Sequence, residues 1–153
     1  MRTGLDIDRV REIAVAARRA IEASPRLSVE GEFADSWFDA FPLGCCSDAC
    51  LLVAEIYRAH GFAVALAHGQ RGSGSHVWLL VDGVIVDLTA DQFEDAGLPA
   101  VFVAESSAWH DAWEPTSGGI QAISDYPPDE RWRAWLSGAL AELRRRVAVL
   151  IPA

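Results

Sequence analysis

Three side chains able to carry out nucleophilic acyl transfer stand in two short segments of this chain. Cys46 lies within Phe41-Pro42-Leu43-Gly44-Cys45-Cys46-Ser47-Asp48, and His76 and Asp87 bracket the run from Val77 to Val86. A thiol nucleophile needs a base to activate it, and the base needs a third group to fix its orientation. All three types are present, in an order whose geometry follows from the residues between them.

Asp82-Gly83 separates two runs rich in β-branched and aromatic residues, which predicts a hairpin closed by a two-residue type I′ turn. Pairing outward from that turn sets Val81 opposite Val84, Leu80 opposite Ile85, Leu79 opposite Val86, Trp78 opposite Asp87 and His76 opposite Thr89. Side chains alternate between the faces of a strand, so His76, Trp78, Asp87 and Thr89 share one face. His76 and Asp87 become diagonal neighbours, roughly 7–8 Å apart at the backbone, a gap an imidazole and a carboxylate close by leaning together. A slip of one residue would place them on opposite faces.

The cysteine segment reads as a loop running into a helix. Phe41-Pro42 and Gly44 break any earlier element, and Cys46, Ala49, Cys50, Val53, Ala54 and Tyr57 form a stripe at helical spacing that Gly61 ends. A cysteine in the first turn feels the positive end of the helix dipole and free backbone N–H groups, which favour thiolate and could hold an oxyanion. Cys46 is preferred as nucleophile because it joins the helical stripe and precedes Ser47-Asp48; Cys45 is the competing choice. Taken singly, each residue has a plainer explanation, since cysteine is among the most buried residue types and a strand histidine or strand-end aspartate often serves structure alone. Their conjunction favours chemistry.

The segments Phe-Pro-x-Gly-x-Cys-x-Asp-Ala, His-x-Trp and Asp-Leu-Thr-Ala-Asp-Gln-Phe, spanning Phe41 to about Phe93, resemble papain-like and transglutaminase-like cysteine enzymes, and more narrowly small bacterial proteins with the same Cys, His, Asp order. The resemblance implies an α+β fold with a papain-like/transglutaminase-like core, the cysteine helix packed on an antiparallel sheet. It also implies Cys46 as nucleophile, His76 as base and Asp87 as orienting acid. The glutamine that papain-like peptidases place shortly before the cysteine is missing. Gln92, polar and near the Asp87 strand, is the candidate for the second oxyanion donor, and Trp78 is expected to contact substrate.

With 153 residues, 51% of them hydrophobic, the chain suits one domain spanning residues 1–153. Its net charge of −9 argues against nucleic-acid binding, which depends on clustered Lys and Arg. There is no lysine, which excludes lysine Schiff-base chemistry and a P-loop. Arg144-Arg145-Arg146 suits the C-terminal end of a helix. The three cysteines form one cluster, a pattern of reducing compartments. Together with the lack of a signal peptide or spanning segment, it leads us to expect a cytoplasmic protein without membrane contact. Cys46 and Cys50 with His76 make a poor metal set, lacking any Cys-x-x-Cys or His-x-x-x-His spacing, so neither metal nor cofactor is expected.

Further elements must position the site. Val10, Ile13, Ala14, Ala17, Ala20 and Ile21 predict a packing helix over Asp8 to Ala23, capped by Asp6 or Asp8 and stopped at Ser24-Pro25. Residues 27–40 read as a loop or short helix walling the approach to Cys46. Phe62 to His68 reads as a strand, Gln70 to Ser75 as a mobile loop before His76, Ala100 to Ala104 as a short strand and Ser117-Gly118-Gly119 as a turn. Trp109 and Trp113 are expected to pack, although they could line a cleft. Pro127-Pro128-Asp129 opens a helix carrying Trp132, Trp135, Leu136, Leu140 and Leu143 on one stripe to Arg146 or beyond. His60 suits a helix C-terminus and His68 a strand end. His110 has only Asp111 beside it, and sequence neighbours seldom face each other.

The expected function is a cysteine-dependent acyl-transfer enzyme. It would hydrolyse, or transfer across, an amide or isopeptide bond of a peptide, protein or amide-containing small molecule through a Cys46-His76-Asp87 triad. The alternatives are a catalytically silent peptide- or protein-binding module on the same fold and a toxin or effector that modifies a host glutamine.

Overall fold

The computed structural model describes residues 6–23, 42, 46–127 and 131–151. The predicted approach segment 27–40, the stop at Ser24-Pro25, Cys45 and the side chain of Trp132 lie outside them. The architecture is α+β. In chain order it runs α1 (Ile7–Ala23), α2 (Cys46–Ala59), β1 (Val64–Arg71), β2 (Gly74–Val81), β3 (Val84–Asp87), β4 (Phe102–Ala104), α3 (Ala108–Asp111), β5 (Thr116–Gly119) and α4 (Arg131–Leu150). The strands form one sheet in the order β4-β3-β2-β1-β5, with every neighbouring pair antiparallel.

The hairpin has the register its sequence predicts. Leu79 faces Val86, Leu80 faces Ile85 and Val81 faces Val84, around a turn with positive φ at both Asp82 and Gly83 (48° and 84°), as a type I′ turn requires. Asp82 also accepts the Ala63 N–H at 2.9 Å, which ties the turn to the start of β1.

Alternation along the strands divides the apolar residues between two faces. Leu79, Val81, Val84 and Val86 point to α1, α2 and α4, whose Ile13, Ile21, Leu52, Tyr57, Leu136 and Leu143 complete the main core. Trp78 and Ile85 point the other way, into a smaller aromatic cluster with Ala67 and Trp113, joined by Phe93, Phe102 and Trp109. His76 and Asp87 share the parity of Trp78 and Ile85 and belong to this second face. Of the two candidates for capping α1, Asp6 accepts the Arg9 N–H at 3.0 Å.

Two segments differ from expectation. Gln70 to Ser75 is no mobile loop: β1 and β2 stay paired as far as Arg71 with Gly74, leaving only Gly72-Ser73 to turn. Ser117-Gly118-Gly119 is an edge strand rather than a turn, pairing with Ala67, Leu66 and Ala65 of β1. Gly and Ser give weak strand signals because they have little side chain to pack. Edge pairing uses only backbone groups.

Candidate active site

Asp87 ends β3, and its carboxylate starts the next turn by accepting the Thr89 N–H on Oδ1 at 2.9 Å. This local bond turns the chain off the sheet. On β2, the residues whose N–H groups point toward β3 alternate outward from the hydrogen-bonded pair that closes the turn, namely Val81, Leu79 and Val77. The ladder has ended before Val77, and the group that takes its N–H is the sulfur of Cys46, the first residue of α2. The hairpin thus supplies the imidazole, the carboxylate and a hydrogen-bond donor to the thiol.

His76 is 1% exposed and Asp87 likewise, and His76 Nε2 donates to Asp87 Oδ2 across 2.7 Å. His76 Nδ1 has no hydrogen-bond partner among the described residues; the Cys46 thiol lies close enough to act on the ring. Burial disfavours charge on this imidazole, yet the carboxylate of Asp87 and the sulfur of Cys46 overcome it and raise the His76 pKa to about 9. Burial likewise pushes the Cys46 thiol up, but the His76 ring, the Val77 N–H and Ser47 outweigh it and leave Cys46 below its ordinary value. Against its burial, Asp87 is held down to about 2 by donors from His110, His76 and Thr89. Both directions favour the charged forms, thiolate at Cys46 and imidazolium at His76. Cys50, one helical turn on, is buried, and both that burial and the nearby Asp87 and Cys46 charges raise its pKa well above normal. It is the inert thiol of the two.

The structure adds a residue that the sequence argument passed over. His110 Nε2 also lies 2.7 Å from Asp87 Oδ2, so two imidazoles share one carboxylate oxygen. Ser107, the N-cap of α3, sits 2.7 Å from His110 Nδ1 and accepts the His110 backbone N–H at 3.2 Å. Ser107, His110 and Asp87 therefore imitate a second triad. The hydroxyl is buried and already engaged as a cap, however, whereas Cys46 is partly exposed. The accessible end of the chain of groups is the sulfur.

His76, Asp87 and His110 also form a trio with ligand atoms near enough together to suit a metal ion. Ligands about 2.0–2.1 Å from a tetrahedral ion stand roughly 3.3 Å apart. The two 2.7 Å separations are hydrogen-bond lengths, so the trio fits shared protons better than an ion.

Trp78 is 2% exposed, with its ring centroid 4.7 Å from that of His110 and 5.5 Å from that of His76. It packs beside both imidazoles, and this burial differs from the expected contact with substrate. Phe93, Trp109 and Trp113 close the other sides of His76 at 4.9, 5.9 and 5.7 Å, and Arg71 lies over Trp113 at 4.5 Å. Gln92 is half-buried on a single 3-10 turn, Ala90–Gln92. It lines neither of two cavities near the start of α2. One is an internal space of about 10 Å3 between Cys46, Cys50, Val53 and Asp87, room for about one water. The other is a groove of about 250 Å3 that starts at Ser47 and Val77 and runs past Leu51, Leu66, Ile120 and Tyr126.

Arg18 of α1 holds the segment that follows Asp87. Its guanidinium grips Asp91 through both carboxylate oxygens, at 2.9 and 2.8 Å, and also donates to the Leu88 carbonyl. No family model matches the chain, and no curated protein or solved structure matches it.

Proposed function

We propose that the protein is a cysteine-dependent acyl-transfer enzyme, with Cys46 as nucleophile, His76 as general base and acid and Asp87 as orienting acid, on a core arranged like that of papain-like and transglutaminase-like enzymes. The observation that carries this reading is the division of labour on one ring: His76 Nε2 is committed to Asp87 at 2.7 Å, while Nδ1 is buried without a hydrogen-bond partner among the described residues and is the nitrogen left to exchange a proton with the nearby Cys46 sulfur. A binding module has no use for a buried imidazole held this way beside a thiol with a lowered pKa.

In the reaction, the Cys46 thiolate forms an S–C bond to an amide carbonyl, and backbone N–H groups in the first turn of α2 face the developing oxyanion. Collapse breaks the C–N bond as the His76 Nδ1 proton passes to the leaving amine. A water or an acceptor amine then gives its proton to Nδ1 and attacks the thioester, and the S–C bond breaks to return thiolate and imidazolium. The groove from Ser47 and Val77 to Tyr126 is mostly apolar and offers a place for the acyl portion of a peptide- or amide-like substrate.

Two measurements test the reading. Iodoacetamide labelling followed by pH should show Cys46 reacting well below the pH at which a free thiol does, near 8.5, while Cys50 stays unlabelled. Intact-protein mass spectrometry with a panel of acyl ester and acyl amide probes should show one covalent adduct, lost in Cys46→Ala. Ordinary thiol behaviour at Cys46, with no adduct from any probe, would leave the binding module as the better account. Adduct formation coupled to deamidation of a protein glutamine would direct the reading to the effector class.

A further inference from the structure

Asp87 carries more hydrogen bonds than the orientation of one imidazole needs. Oδ1 accepts the Thr89 N–H at 2.9 Å, and Oδ2 accepts both His76 Nε2 and His110 Nε2, each at 2.7 Å. These bonds fix the carboxylate in plane and in rotation. His110 reaches its place on α3, a single turn whose N-cap hydroxyl, that of Ser107, accepts the His110 backbone N–H at 3.2 Å. Asp87 Oδ2 can only accept, so His110 Nε2 carries the hydrogen between them, and on a neutral ring Nδ1 is then the acceptor for the Ser107 hydroxyl hydrogen 2.7 Å away. The Ser107 hydroxyl bonded to Nδ1 holds the ring in this tautomer, with Nε2–H aimed at Asp87.

We propose that His110, set by Ser107, is a positioning residue for the reaction assigned above, holding the shared Asp87 oxygen in line with the His76 ring. The idea rests on Cys46 and His76 being the reactive pair. Around His110 the charged or titratable groups facing it are few: Asp87 from β3, with His76 beyond the shared oxygen. Its other neighbours are rings, Trp78 from β2 at 4.7 Å, Phe102 from β4 stacked at 5.1 Å, and Trp109 on its own turn at 4.9 Å. This enclosure leaves His110 no path to substrate through the described residues. It acts through Asp87. Without its donor, the carboxylate keeps His76 on Oδ2 and the Thr89 N–H and hydroxyl on Oδ1, and Oδ2 gains freedom to move out of line with His76, so the imidazolium form that favours thiolate loses part of its hold.

The test uses the full chain and needs no substrate. His110→Phe keeps a ring against Phe102 and Trp78 but removes the donor, His110→Gln restores an N–H, and Ser107→Ala frees the tautomer. The pH profile of Cys46 alkylation is expected to move up by about one unit in His110→Phe, to return part of the way in His110→Gln, and to shift less in Ser107→Ala. A folded His110→Phe protein with the wild-type profile overturns the proposal while leaving the Cys46 reading intact. A wild-type profile like that of a free thiol overturns both. Should His110→Phe fail to fold, ring-nitrogen NMR of the wild type decides: hydrogen on Nε2 with Nδ1 accepting supports the assignment, and hydrogen on Nδ1 with Nε2 bare overturns it.

Discussion

Gly69 and Trp113 meet backbone to side chain, so closely that a Cβ added to Gly69 would lie 2.4 Å from the Trp113 Cβ and 2.9 Å from its carbonyl oxygen. The Gln70 N–H donates to that same carbonyl at 3.1 Å. This contact seats the segment after α3 against β1 and brings the Trp113 ring over His76. Gly69→Ala therefore has no cheap relief, since the atoms in the way are Cβ and backbone. We expect a loss of about 1–3 kcal/mol, read as a lower urea midpoint, together with slower alkylation of Cys46. Wild-type stability in Gly69→Ala would show that Trp113 is not seated in this way.

Arg18 and Asp91 form a two-pronged pair at 2.9 and 2.8 Å, with the Arg18 side chain 7% exposed and that of Asp91 26%. The pair fastens the turn after Asp87 to α1. Arg18→Met leaves the carboxylate and the Leu88 carbonyl without this donor, a change expected to cost about 3 kcal/mol. Arg18→Met with Asp91→Leu should recover much of the stability, because the cost arises mainly from the stranded charge. Thermal unfolding of the single and double variants measures both, and a double variant no more stable than Arg18→Met would contradict this account.

The hairpin half of the site was legible because its determinants are local. A two-residue turn demanding positive φ twice fixes the register, and register fixes which side chains share a face. His110 was not legible in this way. It meets Asp87 across 23 residues, by way of a 3-10 turn, a three-residue strand and α3, only four residues long. None of these is long enough to show a period. The role of Arg18 was hidden too, because a single arginine within an amphipathic helix looks like any solvated charge until its partner, 73 positions away, is seen. Gln92 has only polarity and nearness in sequence to recommend it, and its turn sets it outside the lining of both the internal space at Cys46 and the groove that starts at Ser47 and Val77.

The pH dependence of stability separates the acid from the ion pair. Asp87, lowered from 3.8 to about 2, contributes stability that is complete above 3.8 and is lost as pH falls toward 2. His76, raised from 6.5 to about 9, works in the opposite sense: its contribution is complete below 6.5 and is lost as pH rises through 9. Cys46 is held below its ordinary 9.0, so on folding it sheds a proton over a range where His76 gains one. Where both shifts operate, the pair binds the same number of protons folded and unfolded, and its contribution does not vary with pH. Cys46→Ala removes the compensation and also the sulfur's share of the His76 shift, so Asp87 alone holds the ring up; the stability of this variant should fall above about pH 6.5, through a window that closes before about pH 9, relative to wild type. Urea midpoints across that range give the comparison. Parallel curves would mean that no proton is shared between the two groups.

Asp87→Asn is the most searching single change at the site. The carboxylate presents two acceptor oxygens, one to the Thr89 N–H and one to both imidazoles, and an amide has only one. If the amide oxygen faces the histidines, its NH2 opposes the Thr89 N–H. If it faces Thr89, two ring N–H groups meet an NH2. Either arrangement strands buried donors, and the negative charge that raises His76 is gone as well. By analogy with the same substitution in other triads, turnover of an acyl probe should drop roughly 10³–10⁴-fold. Labelling of Cys46 at about pH 6 should fall at least about tenfold, as the thiolate loses its counterion. Asp87→Glu, which keeps the charge but moves it by one methylene, should retain more of the low-pH labelling than Asp87→Asn. Equal labelling in the two variants would mean that charge is not what Asp87 contributes, and wild-type labelling in Asp87→Asn would remove Asp87 from the mechanism.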